Sequence, residues 1–472
     1  MRRVFSVFAG LLLVGAALVM TVQTAPATTG TPTFTKDVAP IFFQKCASCH
    51  RQGEIAPMTL LTYEDARPWA KAIKAKVVAR EMPPWGADHE NTLKMRNDRS
   101  LTEQQIQTIS AWVDGGAPRG NAADLPPAPK FADGWTYGVR EPDYVFEMPL
   151  EFEIPAEGEL SVQNFYTKIP WTEDRFAEVV ELRPGNRAVV HHAGIYFADL
   201  PPGATLDKDG RMVMPQGGNR NGRAGGEFGL PGVSKLLSFV PGRGVDVHRA
   251  DIGKRIFAGK YINWQMHYNP TGKPEKDRTR LGIWFNRVPV THEILIRQAG
   301  DPLATTKGGQ SLYRAEGREV QYTAEEGSTA RRSRTPNIPP YAENWSLTGI
   351  TPVTEDITLY AMSPHMHLRG KSLKWVVTYP DGRDQTILNV PKFDFNWQIN
   401  YELAEPLKIP AGSKITGIGF YDNSLKNKWN PGPQLEVFWS EQSWDEMYQP
   451  FTEYSVDSQD LTILKPITQQ QQ

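Results

Sequence analysis

The stretch Ile357-Thr358-Leu359-Tyr360-Ala361-Met362-Ser363-Pro364-His365-Met366-His367-Leu368 begins with the alternation of a β-strand. Side chains two apart on a strand share a face. His365 and His367 therefore present two imidazoles to one point, and Met366 faces away. Such pairs suit copper, zinc, nickel or iron. Two strand histidines also occur as solvated or core residues, so the pair gains meaning only from the rest of the chain.

With 472 residues, the chain has the length of about three domains. Its composition, 40% hydrophobic and 22% charged, lets each domain bury a core. Thirteen Trp, 38 Pro and 40 Gly favour turn-rich β structure over long helices. A formal net charge of −1 gives no reason to expect nucleic acid as a partner. Arg2-Arg3, the apolar run Val4 to Val22 and Ala25-Pro26-Ala27 form an export signal spanning residues 1–27. The expected location is periplasmic or otherwise extracytoplasmic, with membrane contact only if this segment stays uncleaved as an anchor.

Residues 33–118 read as a small all-α domain. Asp37 or Thr35 can cap a helix whose apolar positions Val38, Phe42 and Cys46 recur every fourth residue. It runs into Cys46-Ala47-Ser48-Cys49-His50. C-x-x-C-H holds haem c covalently through Cys46 and Cys49, with His50 as an axial ligand of the iron. A zinc half-site would need further cysteines, and the chain has two. A redox pair lacks its βαβ context, and a disulfide leaves His50 unexplained. A second helix begins near Pro68, carries Trp69, Ile73 and Val77 on one stripe, and stops before Met82-Pro83-Pro84. Met82, on that stiff segment, is the expected sixth ligand; Met58 and Met95 are its rivals, and His89 would make a bis-His haem. Thr102 to Gln105 is a capping box, followed by Ile106, Ile109, Trp112 and Val113. This order of helices and ligands resembles the class I cytochrome c fold.

Residues 119–135 form a Pro-rich linker. Short alternating runs follow, such as Leu281-Gly282-Ile283-Trp284-Phe285, and their number favours two β-sandwich domains, 136–300 and 346–465. The polar insertion 301–345 between them carries Arg331-Arg332-Ser333-Arg334, read as a solvated loop. Gln216 to Gly232 lacks phosphate-loop spacing and reads as a flexible loop.

The β region holds His191-His192, then His267, then His365 and His367, then Asp445-Glu446-Met447. Adjacent His191 and His192 can serve one metal only if the strand kinks or bulges. This order resembles the copper type II monooxygenases, the peptidylglycine α-hydroxylating and dopamine β-monooxygenase family, over roughly residues 140–460. The resemblance implies a multidomain chain in which two all-β jelly-roll-like domains follow the cytochrome c domain. It implies an electron-transfer copper on His191, His192 and His267, and an oxygen-binding, catalytic copper on His365, His367 and Met447. Neutral imidazoles suit both oxidation states of copper, and a thioether favours Cu(I). The peptide-amidating members carry an Arg where Ser363 stands, and Asn and Tyr where Gln449 and Phe451 stand, so a glycine-extended peptide is not the expected substrate. His248 and His292 match no position of the family.

The expected function is an exported monooxygenase that uses one haem c and two copper ions. It would hydroxylate an aliphatic C–H bond of a small-molecule substrate with O2, taking electrons from an external donor through the haem. The alternative is a haem- and copper-binding electron carrier without a substrate.

Overall fold

The computed structural model describes residues 30–131, 134–214, 234–240, 244–299, 312–320, 322–323, 332–333, 336–440 and 442–462. The export segment 1–27 and the Gly-rich stretch 216–232 lie outside them, as do Arg331 and Arg334 of the basic run.

The chain is mostly β: strands take 37% of the described residues and helices 11%. This overturns the expected multidomain architecture of a small all-α cytochrome c domain followed by two jelly-roll-like sandwiches. The N-terminal helices Ala39–Lys45, Tyr63–Ala66, Ala70–Val78 and Glu103–Asp114 are short. They gather around Phe34, Phe42, Ile73, Ile109 and Trp112, and the Thr102–Gln105 capping box is formed. The rest of that segment is irregular. Pro68 interrupts one helical run, and the pair Pro83-Pro84 cannot extend the next.

Beyond Pro84 the chain leaves these helices altogether. Trp85, Ala87 and Met95 are buried in the core of the last β unit. Backbone bonds run from Asp88 N to Asn389 O (3.0 Å) and from Leu93 N to Ile387 O (3.2 Å). Others run from Arg96 N to Glu402 O (2.7 Å) and from Ala404 N to Lys94 O (2.9 Å). The segment thus covers two exposed sheet edges, strands Asp384–Val390 and Tyr401–Ile409, whose backbone groups would otherwise be open to pairing. Gly86, at φ +76°, makes the turn into it, and a β-carbon there would lie 3.2 Å from the Lys392 carbonyl oxygen.

Two sheets surround the first β core. The four-stranded one runs Gln163–Lys168, Tyr261–Tyr268, Val190–Ala198, Ser234–Phe239. The six-stranded one is centred on Arg175–Arg183. Trp264, Ile195 and Phe165 meet Val180, Leu281 and Ile283 between them. After Glu293 the chain passes straight into the second unit, where Leu295–Gln298 pairs with Gln449–Val456. Leu312–Ala315, within the expected insertion, pairs with Trp345–Pro352 in the second unit's six-stranded sheet. The second unit's four-stranded sheet places Ile357–His365 between Gln449–Val456 and Tyr401–Ile409.

The Trp85 ring packs edge-on against Tyr401 at 4.8 Å, and the Tyr401 hydroxyl donates to the Trp85 carbonyl. Trp85→Ala is expected to cost about 3–5 kcal/mol, the range for truncating a buried aromatic. Chemical denaturation measures the loss, and limited proteolysis would show new cleavage between residues 79 and 100.

Candidate metal centre

His191 and His192 end up on one side of the sheet because the strand carries one extra residue. His267 pairs with His192 and Tyr268 pairs with Val190, so His191 is bulged out of the ladder. The His191 and His192 rings then lie 4.9 Å apart, with their Nδ1 atoms at 3.0 Å. His267, opposite on the neighbouring strand, stacks on His192 at 3.8 Å.

At the end of strand Ile357–His365, His365 Nε2 lies 3.2 Å from Met447 Sδ. His367 follows with its ring at 5.2 Å from His365 and its Nδ1 at 3.2 Å from the Asp445 carbonyl oxygen. Glu446 ties the two elements together. Its carboxyl group accepts the backbone N–H of His367 (2.8 Å) and of Arg369 (2.7 Å), fixing the strand end against the turn that carries Met447. Burial pushes the Glu446 carboxyl up to about 8.

Burial also keeps the imidazoles neutral. It lowers His267 to about 3 and His367 to about 4, and holds His192 and His365 well below the ordinary histidine value. His191 is lowered by the same cause. The two groups also sense each other: charge on His365 or His367 would further disfavour protonation of His192. The structure therefore brings His191, His192, His267, His365, His367 and Met447 into one neighbourhood formed by both β units.

Between the two groups sits a turn that sequence reasoning missed. Phe395 places its ring 5.7 Å from His191, 5.3 Å from His192 and 5.8 Å from His367. Asn396 Oδ1 lies 3.0 Å from His191 Nε2, and Gln398 Oε1 contacts His365 Nδ1. The only sequence signal was a run of aromatics and amides, Phe393 to Gln398, after a strand.

Imidazole and thioether donors are of the kind that copper takes. His192 Nε2 is buried with no hydrogen-bond partner. One donor pair in each group is close, His191 Nδ1 to His192 Nδ1 at 3.0 Å and His365 Nε2 to Met447 Sδ at 3.2 Å, while the ligand atoms of His191, His192 and His267 do not all lie within 4.8 Å of one another. In the C-x-x-C-H stretch Cys46 and Cys49 are free thiols, and burial pushes Cys46 up to about 12. His50 Nδ1 lies 3.2 Å from the Met58 carbonyl oxygen, which leaves Nε2 for a ligand. Met82 is half-buried just beyond helix Ala70–Val78. Of its rivals, Met95 is held in the second β core, and His89 is exposed, with Nε2 3.1 Å from Ser100 Oγ. Glu54, four residues after His50, pairs with Arg187 at 3.3 Å, four residues before His191.

A different cluster draws in His248, which matched no expected position. Asp246, His248 and Glu453 are the group of three among the described residues whose His, Cys, Asp or Glu ligand atoms all lie within 4.8 Å of one another. They line a cavity of about 220 Å³ between the two β units. The Lys254 ammonium already stands there, 2.7 Å from Asp246 and 3.8 Å from Glu453, as a buried ion-pair network across the junction.

No family model and no curated protein matches the chain. Among solved structures it is similar to allantoicase at 10% identity, covering 58% of this chain and 79% of that one, with a TM-score of 0.16. A Paenibacillus xanthan lyase shows 12% identity over 71% and 29% of the two chains, with a TM-score of 0.16. The tandem CBM22 domain of Paenibacillus barcinonensis Xyn10C shows 9% identity over 69% and 95%, with a TM-score of 0.13. Scores this low carry no argument about function.

Removing Lys254 leaves two buried carboxylates facing each other. Lys254→Met is expected to destabilise the protein by about 3–5 kcal/mol, read as a lowered urea midpoint.

Proposed function

We propose that the protein is an exported copper- and haem-dependent monooxygenase that hydroxylates an aliphatic C–H bond of a small-molecule substrate. The observation that carries this reading is the meeting of five neutral histidines and Met447 at the junction of the two β units, with His365 Nε2 and Met447 Sδ 3.2 Å apart. When bound, haem c and two copper ions would supply one-electron transfer and activation of O2. Placing one oxygen atom in the substrate leaves the other as water, so two electrons and two protons must come from outside.

The chain's own residues would hold the parts. Cys46 and Cys49 would anchor the haem, and His50 and Met82 would bind its iron. His191, His192 and His267 would hold the electron-transfer copper. His365, His367 and Met447 would hold the oxygen-binding copper. The Glu54–Arg187 pair supports electron entry on the His191 side, since it sets the haem loop against the segment leading to that histidine. Glu446 keeps Met447 and His367 at a fixed distance while its buried carboxyl adds no exposed polarity to the site. Phe395 covers one side of His191, His192 and His367.

A second reading has one observation in its favour. His191, His192 and His367 are almost fully buried and Phe395 packs between the groups, an arrangement that also suits a haem- and copper-binding electron carrier with no substrate.

Metal analysis of the purified protein is expected to give one haem iron and two coppers per chain. Met447→Ala should abolish substrate-dependent O2 uptake, screened over small amines, lipids and aliphatics with a chemical reductant, and leave the haem absorption spectrum unchanged. Unchanged uptake in the variant, or zinc in place of copper, overturns the proposal. Copper and haem with no O2 uptake for any substrate would favour the carrier.

A further inference from the structure

The turn Asp394–Gln398 touches both histidine groups through two side chains of the same kind, and the way each amide is held decides what it offers. Asn396 donates its Nδ2 to Asp394 Oδ1 at 2.9 Å, and its backbone N–H goes to the same oxygen at 2.9 Å. The amide oxygen is therefore the atom left facing His191 Nε2. Gln398 donates its Nε2 to the Phe395 carbonyl at 3.0 Å, so its oxygen is the atom left facing His365 Nδ1. An amide oxygen only accepts, so each histidine must donate there. A neutral imidazole has one N–H, and placing it fixes where the lone pair points.

The consequence differs for the two groups. His191 protonated on Nε2 keeps its lone pair on Nδ1, the atom 3.0 Å from His192 Nδ1. His365 protonated on Nδ1 keeps its lone pair on Nε2, the atom 3.2 Å from Met447 Sδ. A thioether sulfur has no proton to give, so His365 Nε2 and Met447 Sδ face each other as two electron-pair donors. The turn itself is pinned by Trp397 N to Asp394 O (2.9 Å) and by Phe395 wedged against three of the rings. An acceptor behind a metal-binding imidazole fixes which nitrogen carries the proton and how the ring is turned.

We infer that the Asp394–Gln398 turn is a shared positioning element, in which Asn396 makes His191 an Nδ1 donor and Gln398 makes His365 an Nε2 donor. The assignment of these lone pairs to copper rests on the function proposed above; the tautomers themselves do not. Asn396 and Gln398 act through the histidines and are positioning residues.

The test uses the full-length protein, ¹⁵N-labelled at histidine and stripped of copper with a chelator. Two-bond ¹H–¹⁵N spectra, assigned with His191→Gln and His365→Gln, read the tautomers directly. Wild-type protein is expected to carry the proton on His191 Nε2 and His365 Nδ1. Asn396→Ala should shift the tautomer population of His191 alone, and Gln398→Ala that of His365 alone. Asn396→Asp and Gln398→Glu keep an accepting oxygen and should preserve both tautomers, which guards against an alanine variant that simply fails to fold. Opposite tautomers in the wild type, or alanine variants that change neither ring, overturn the inference. In parallel, Cu(I) competition with a chelator should show one of two equivalents weakened about 10- to 100-fold in each alanine variant, with the Asp and Glu variants restoring it. If wild-type protein binds no copper, the proposed function falls, and the spectra of the metal-free protein still decide the tautomers.

Discussion

A buried neutral imidazole carries one N–H that must find an acceptor, and meeting that demand organises the junction of the two β units. Leaving such a donor unpaired costs about 1–3 kcal/mol, which favours ring orientations that meet an acceptor. His367 meets a carbonyl of the Asp445 turn, His365 and His191 meet side-chain amides, and His192 lies beside His191. Each choice leaves the other ring nitrogen without a proton. Four chain segments far apart in sequence are thereby tied to one point, and the lone pairs that remain are the site's chemistry.

That arrangement holds only if the backbone beneath it is fixed. Glu446 performs the task for one group, its single carboxyl taking two amides from the end of the His365 strand. Such a group resists ionisation because burial removes water, yet it accepts backbone N–H groups in either protonation state. For the other group the fixing device is the bulge at His191, a register feature rather than a side chain. One group is braced by a polar clamp, the other by strand pairing.

The parts of this that depend on local pattern were legible in the sequence. C-x-x-C-H with Phe42, Ile109 and Trp112 marked the short helices and their shared core, and alternation marked the strand Ile357–His365, although that strand ends at His365 and His367 lies beyond it. What failed was the extrapolation from those helices to a sizeable all-α domain. Helical periodicity ends at Pro83-Pro84, and residues 85–97 carry no period at all because they serve as an edge cover for strands some 300 residues later. A segment whose partners lie in another unit has no local signature of them. The same holds for Asn396 and Gln398: an amide in a turn reads as turn chemistry, and only the fold reveals that its free oxygen meets a histidine. His248 shows the converse, a histidine without a motif that the fold places among Asp246, Glu453 and Lys254.

The covering of strand edges and the histidine turn are one continuous feature. Gly86 brings the N-terminal segment against the Lys392 carbonyl, and Phe395 follows three residues later. Trp85 is locked to Tyr401, on the strand that leaves that turn. The segment that follows Met82 therefore supports the loop that meets His191 and His365 from outside, while Glu54 of the C-x-x-C-H loop pairs with Arg187, four residues before His191. The N-terminal region thus meets the β units at two places near the histidine groups in sequence. Loss of either contact would loosen ring orientations without touching a single candidate ligand.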